Sequence, residues 1–82
     1  MKRDKIKELV IDELSGVSGC AVEDITEDSH LENDLSLDSI DGVEVICDLE
    51  RTFAISISDE EMSSLKDMRV REIIDILETK LT

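Results

Sequence analysis

One serine in this sequence stands where chemistry has room. Ser39 falls at the start of a predicted helix, inside the run Asp34-Leu35-Ser36-Leu37-Asp38-Ser39-Ile40-Asp41. A helix N-terminus offers free backbone amides and the positive end of the helix dipole, so a phosphate ester on Ser39 would meet a favourable local field. Asp38 and Asp41 oppose it. The hydroxyl lies at a junction of loop and helix, where a modifying enzyme can reach it. The plainer reading is a serine that merely begins a helix, and the tripeptide alone does not decide between the two.

Other chemistry is poorly supplied. The single histidine, His30, lies in a predicted loop. A serine or cysteine nucleophile would need it as base, with an acid to orient it, and nothing in the spacing supplies that set. Cys20 and Cys47 are too few for a disulfide scaffold and lack metal-ligand spacing. The nearest approach to a calcium loop places Gly42 at the invariant glycine, which puts Leu37 at the first ligand position and Asp48 at the last. Leucine cannot coordinate, so the motif fails and no metal site is expected.

Composition narrows the classes further. With 82 residues the chain is one domain, 1–82, with a modest core and marginal stability. Its 22 acids against 9 Lys and Arg give a net charge of −13. The absence of a basic patch and the single aromatic, Phe53, argue against nucleic acid as a partner. No apolar run approaches a membrane span, and none follows the first residues to form a signal peptide. A cytoplasmic monomer with reduced thiols is therefore expected. The charge is also uneven: from Glu8 to Glu50 there are 43 residues, 14 acids and no Lys or Arg. That stretch builds an acidic surface, either simply solvated or a docking face for basic partners.

The elements that position these residues read as helices. Ile6, Leu9, Val10 and Leu14 recur at helical spacing, predicting a helix over about 4–15 with Asp4 as cap and Gly16 at its end. A long loop, 16–37, follows; its scattered Val17, Val22, Ile25, Leu31 and Leu35 are expected to rest on the core. A second helix spans about 38–52, with Asp38 as N-cap and Asp41 as the capping-box acid. Its inward face is read as Val43, Ile46, Leu49 (or Glu50) and Phe53, and Gly42 weakens the helix. Residues 54–57 read as a buried connector. Ser58 and Glu61 form a capping box for a short helix to about Leu65. Asp67 is expected to cap the last helix, whose stripe is Val70, Ile73, Ile74, Leu77 and Leu81, with Lys80 suited to its C-terminal dipole. The sum is an all-α fold: a small four-helix bundle of three longer helices and one short one, with a long first loop.

In this setting the serine motif resembles that of the acyl carrier proteins, and the resemblance runs from about Ile6 to Leu81. Asp38-Ser39-Ile40 resembles the family's Asp-Ser-Leu core at the head of an acidic second helix, with Asp34-Leu35 as its lead-in. Asp41, Val43, Glu44, Leu49, Glu50 and Phe53 match in register downstream. Ile57 and Ser58 to Glu61 resemble the approach to the family's short third helix. The resemblance implies that Ser39 carries 4'-phosphopantetheine taken from coenzyme A, whose thiol holds an acyl group as a thioester. It implies a carrier rather than an enzyme, a substrate for a phosphopantetheinyl transferase (holo-carrier synthase), for acyl transferases and for ketosynthases. Docking positions carry over to Asp38, Ile40, Asp41, Glu44, Cys47 and Glu50.

The chain departs from the family pattern in several places. Ile40 replaces Leu, Ser36 replaces Gly, Cys47 stands where Met is common, and Arg51 reverses an acid at the edge of the docking face. The first loop and the link into the last helix are each about two residues longer than in fatty-acid carriers. Polyketide or other specialised pathways, or a D-alanyl-type aminoacyl carrier, are therefore alternatives. An unmodified acidic adaptor for basic proteins is a third reading, and it makes Ser39 dispensable.

Overall fold

The computed structural model describes residues 1–81, without the side chain of Met62. Four helices appear in chain order: α1 (Arg3–Ser18), α2 (Ser39–Phe53), α3 (Asp59–Ser63) and α4 (Val70–Leu81). Two single 3-10 turns, Val22–Asp24 and Leu65–Asp67, interrupt the connections. Helix α1 packs against both α2 and α4, and α3 closes over α2. The core is almost wholly aliphatic: Ile6, Val10, Leu14, Leu31, Val45, Leu49, Val70, Ile74 and Leu77 are excluded from solvent, and Phe53 adds the one ring.

Several predicted boundaries shift, each for a local reason. Helix α1 begins one residue earlier than expected, with Lys2 as the residue before its first turn, and Asp4 does not cap it. The carbonyl of Lys2 already accepts from the amides of Lys5 and Ile6, so Asp4 lies inside the turn. The helix also runs through Gly16 to Ser18. It stops at Gly19, whose φ of 80° lets its amide reach back to the Ser15 carbonyl; that left-handed conformation is what glycine makes cheap. Helix α3 ends at Ser63, and Leu65 and Asp67 instead form the second 3-10 turn. Asp67 therefore does not cap α4. The Arg69 amide donates to the Glu72 carboxylate there, 3.1 Å away.

On α2 the inward face is Val45, Ile46, Leu49 and Phe53, while Val43 is exposed, against the expectation. At about 100° per residue the centre of that face falls on Gly42. A Cβ at Gly42 would lie 3.2 Å from the Leu65 side chain. The glycine that weakens the helix is thus what lets the second 3-10 turn approach it.

The long loop rests on the core, as its apolar residues predict. Ile25, Leu31, Leu35 and Leu37 are buried, although Val22 is exposed. It is sewn to the start of α4 by backbone bonds from Leu31 to Met68, from Val70 to Ser29 and from Arg71 to Glu27. Arg3 adds a second seam, pairing with Glu27 of the loop and with Asp75 and Glu78 of α4. The connector after α2 alternates: Ile55 and Ile57 pack against the core, and Ala54 and Ser56 face out.

Candidate functional site

Ser39 is the first residue of α2, and its side chain is exposed. The position follows from two anchors and a cap. Leu35 and Leu37 are both buried, which pins the chain on either side of Ser36 and delivers Asp38 and Ser39 to the surface. Ser36 bridges them with a φ of 58°, the left-handed region in which glycine is at ease and other residues are strained. The turn common to Gly is therefore kept although Gly is absent. Asp38 then caps the helix as expected. Its carboxylate accepts from the Asp41 amide at 2.8 Å, and the Asp41 carboxylate accepts from the Asp38 amide at 3.3 Å. The two acids closest to Ser39 in sequence are thereby committed to backbone amides.

A groove of about 280 Å³ opens beside Ser39, between α2 and the segment 59–66. Ser39, Gly42 and Val43 form one wall, and Asp59, Ser63, Leu65 and Lys66 the other. A separate space of only about 10 Å³ is lined by Ile46, Leu49, Leu65, Ile73 and Leu77, which is barely room for one water.

The acidic face of α2 is only partly as the sequence suggested. Asp38, Ile40, Glu44 and Cys47 are exposed, with Ile40 at 78%. Asp41 is half-buried. Val43, which the sequence assigned to the core, joins Ile40 on the exposed surface at 52%; its spacing of three from Ile40 was the available signal. Glu50 faces elsewhere: half-buried, it accepts the Ile57 amide at 2.9 Å and fixes the turn out of α2. Arg51 pairs with Asp48 at 2.8 Å on the helix surface.

Behind that pair, Glu13 of α1 is half-buried. Burial pushes its carboxyl up to about 7, helped by hydrogen bonding to Asp48 and by the charges of Asp48 and Glu44, and opposed by Arg51. Sequence reasoning missed Glu13, along with Lys66 and Asp59 on the groove, because each meets its neighbours only through tertiary contact.

His30 is tied into its own turn. Its Nδ1 accepts the Asn33 amide at 3.1 Å, and its amide donates to Asp34 at 2.6 Å. Asp34, the lead-in acid, is thus a brace of the loop. Both cysteines are free thiols, Cys20 half-buried and Cys47 exposed. Among the described residues no group of side chains is arranged to hold a metal ion, and no helix is long and apolar enough to cross a membrane.

An exposed serine at the head of an acidic helix, beside a groove, has clear relatives. The family model for the phosphopantetheine attachment site matches residues 8–77. The acyl carrier protein of Coprothermobacter proteolyticus is 36% identical over 81 residues, covering 99% of this chain and 96% of that protein. That of Thermosynechococcus vestitus is 35% identical over 78 residues, covering 95% and 89%. An acyl carrier protein homolog of Mycoplasmopsis pulmonis is 43% identical over 75 residues, covering 92% and 94%. The chain belongs to the acyl carrier protein family. Acyl carrier proteins are non-catalytic and use phosphopantetheine as their cofactor. A histidine occupied within its own turn and a serine with open access suit an acyl carrier, which is acted upon by other proteins.

Proposed function

We propose that Ser39 is the attachment residue for 4'-phosphopantetheine and that the chain delivers acyl groups to enzymes of fatty-acid, polyketide or related lipid synthesis. The observation that carries this reading is the exposed Ser39 side chain at the mouth of the groove, while Asp38 and Asp41 are held by the helix cap. The residues fit the group: the hydroxyl is open to a transferase, and the groove gives an arm a surface to follow. When bound, the arm supplies a terminal thiol that holds acyl groups as thioesters. Asp38 and Glu44 offer charge to basic patches on partner enzymes, with Asp41 at the edge. Ile40, Val43 and Cys47 offer the apolar contact. Such docking is fast and salt-sensitive, as repeated hand-over requires. The closed interior implies that α3 must part from α2 and α4 before an aliphatic chain can enter, and its short aliphatic lining resists this less than packed rings would. Cytoplasm is the compartment in which we place this work.

The test is intact mass after incubation with coenzyme A and a broad-specificity phosphopantetheinyl transferase. The wild type should gain one phosphopantetheine, and folded Ser39→Ala should gain none. An active transferase that leaves folded wild type unmodified would sink the proposal.

A further inference from the structure

Among the described residues, Lys66 is the one cation that lines the groove beside Ser39. The surroundings are strongly acidic: Asp59 lines the same groove, Asp38 and Asp41 flank Ser39 in sequence, and no Lys or Arg occurs between Glu8 and Glu50. A phosphodiester on Ser39 would add a further negative charge there. We propose that Lys66 binds that phosphodiester and lays the first part of the arm along the groove; this rests on Ser39 being the attachment residue.

The base of Lys66 is fixed and its tip is not. Its neighbour Leu65 is buried against Gly42, and the 3-10 turn that carries both is closed by the bonds from Asp67 to Ser64 and from Met68 to Leu65. The ammonium itself meets Glu32 at 3.9 Å, the outer limit of an ion pair, with both side chains 48% exposed. A pair of that kind contributes about 0–1 kcal/mol, so exchanging Glu32 for a phosphate oxygen costs little. The neighbouring cations are held more closely: Arg69 donates to the Asp28 carbonyl at 2.6 Å, Arg71 pairs with Asp28, and Lys80 reaches Glu61 at 3.2 Å. A lysine suits the task, because it is a compact point charge on a flexible stem with three donors. The groove, at about 280 Å³, lies just under the roughly 300–1,000 Å³ of small-molecule clefts.

The experiment compares the protein before and after loading by a transferase, with intact mass as the record of loading. Lysine side-chain NMR should show the Lys66 ammonium and ε-methylene signals displaced on loading, while those of Lys80 stay put. The phosphorus resonance of the loaded wild type should move in Lys66→Ala, move less in Lys66→Arg, and stay in place in Lys5→Ala. Fully loaded protein with unmoved Lys66 signals, or with the same phosphorus resonance in Lys66→Ala, overturns this proposal and leaves the attachment reading intact. Folded protein that takes up no arm overturns both.

Discussion

Replacing Glu13 with Gln should stabilise the protein at pH 8 and do so clearly less at pH 5.5, the difference vanishing only at or below pH 4.5. Burial and the acids Asp48 and Glu44 raise the Glu13 carboxyl from 4.5 to about 7 in the folded chain. The folded state therefore favours the proton, and ionisation is a cost. Stability from this group is fully present at or below the unfolded value of 4.5 and is lost as pH rises through about 7. At full weight the difference would be about 3 kcal/mol. Glu13 keeps some contact with water, which screens its neighbours, so we expect about 1 kcal/mol. In a domain of this size that is roughly 4–8 °C in melting temperature. Glutamine keeps the shape and removes the charge. Thermal melts of wild type and Glu13→Gln at both pH values give the comparison directly. Two other carboxyls do not blur it: Arg3 holds Glu27 below the usual range, and Ser58 with Lys80 does the same for Glu61. Their contributions are lost only as pH falls below 4.5. Equal melting temperatures at pH 8, or a gain of the same size at both pH values, would refute the reasoning.

Ser36→Gly should stabilise by about 0.5–1 kcal/mol, because relief of the left-handed strain at φ 58° exceeds the extra freedom glycine has when unfolded; urea melts would show it, and a loss would mean the turn is not strained. Raising ionic strength from about 0.01 M to about 0.15 M shortens the screening length from roughly 30 Å to 8 Å. With a net charge of −13, the melting temperature should rise, and an unchanged one would contradict self-repulsion as a limit on stability. Arg51→Glu should lower KM with a fatty-acid enzyme that has a basic docking patch and also lower stability, since Arg51 now offsets Asp48 and restrains Glu13; a higher KM would show that Arg51 does not restrict pairing.

What was legible in the sequence is what short range decides. Asp38 and Asp41 are three residues apart, and that spacing alone builds the cap which presents Ser39. Ser58 and Glu61 repeat the device for α3. Val70, Ile73, Ile74 and Leu77 declare one face of α4 through periodicity, and all four are buried. The helical class and the serine motif followed from such patterns. What the pattern could not supply is which neighbour a face meets. Val43 faces solvent and Gly42 faces inward, where Leu65, more than twenty residues on, packs in the space a side chain at 42 would need. Gly16 reads as the helix end, but the chain turns at Gly19, the glycine with a positive φ. Glu50 looks like another docking acid until the chain returns and offers it the Ile57 amide. Glu13 acquires its raised proton affinity, and Lys66 its place beside Ser39, through packing between segments distant in sequence. Capping and periodicity act within about two turns of a helix, so the sequence determines them by itself. Burial, close approach and electrostatic coupling depend on which segments meet, and that only the folded chain decides.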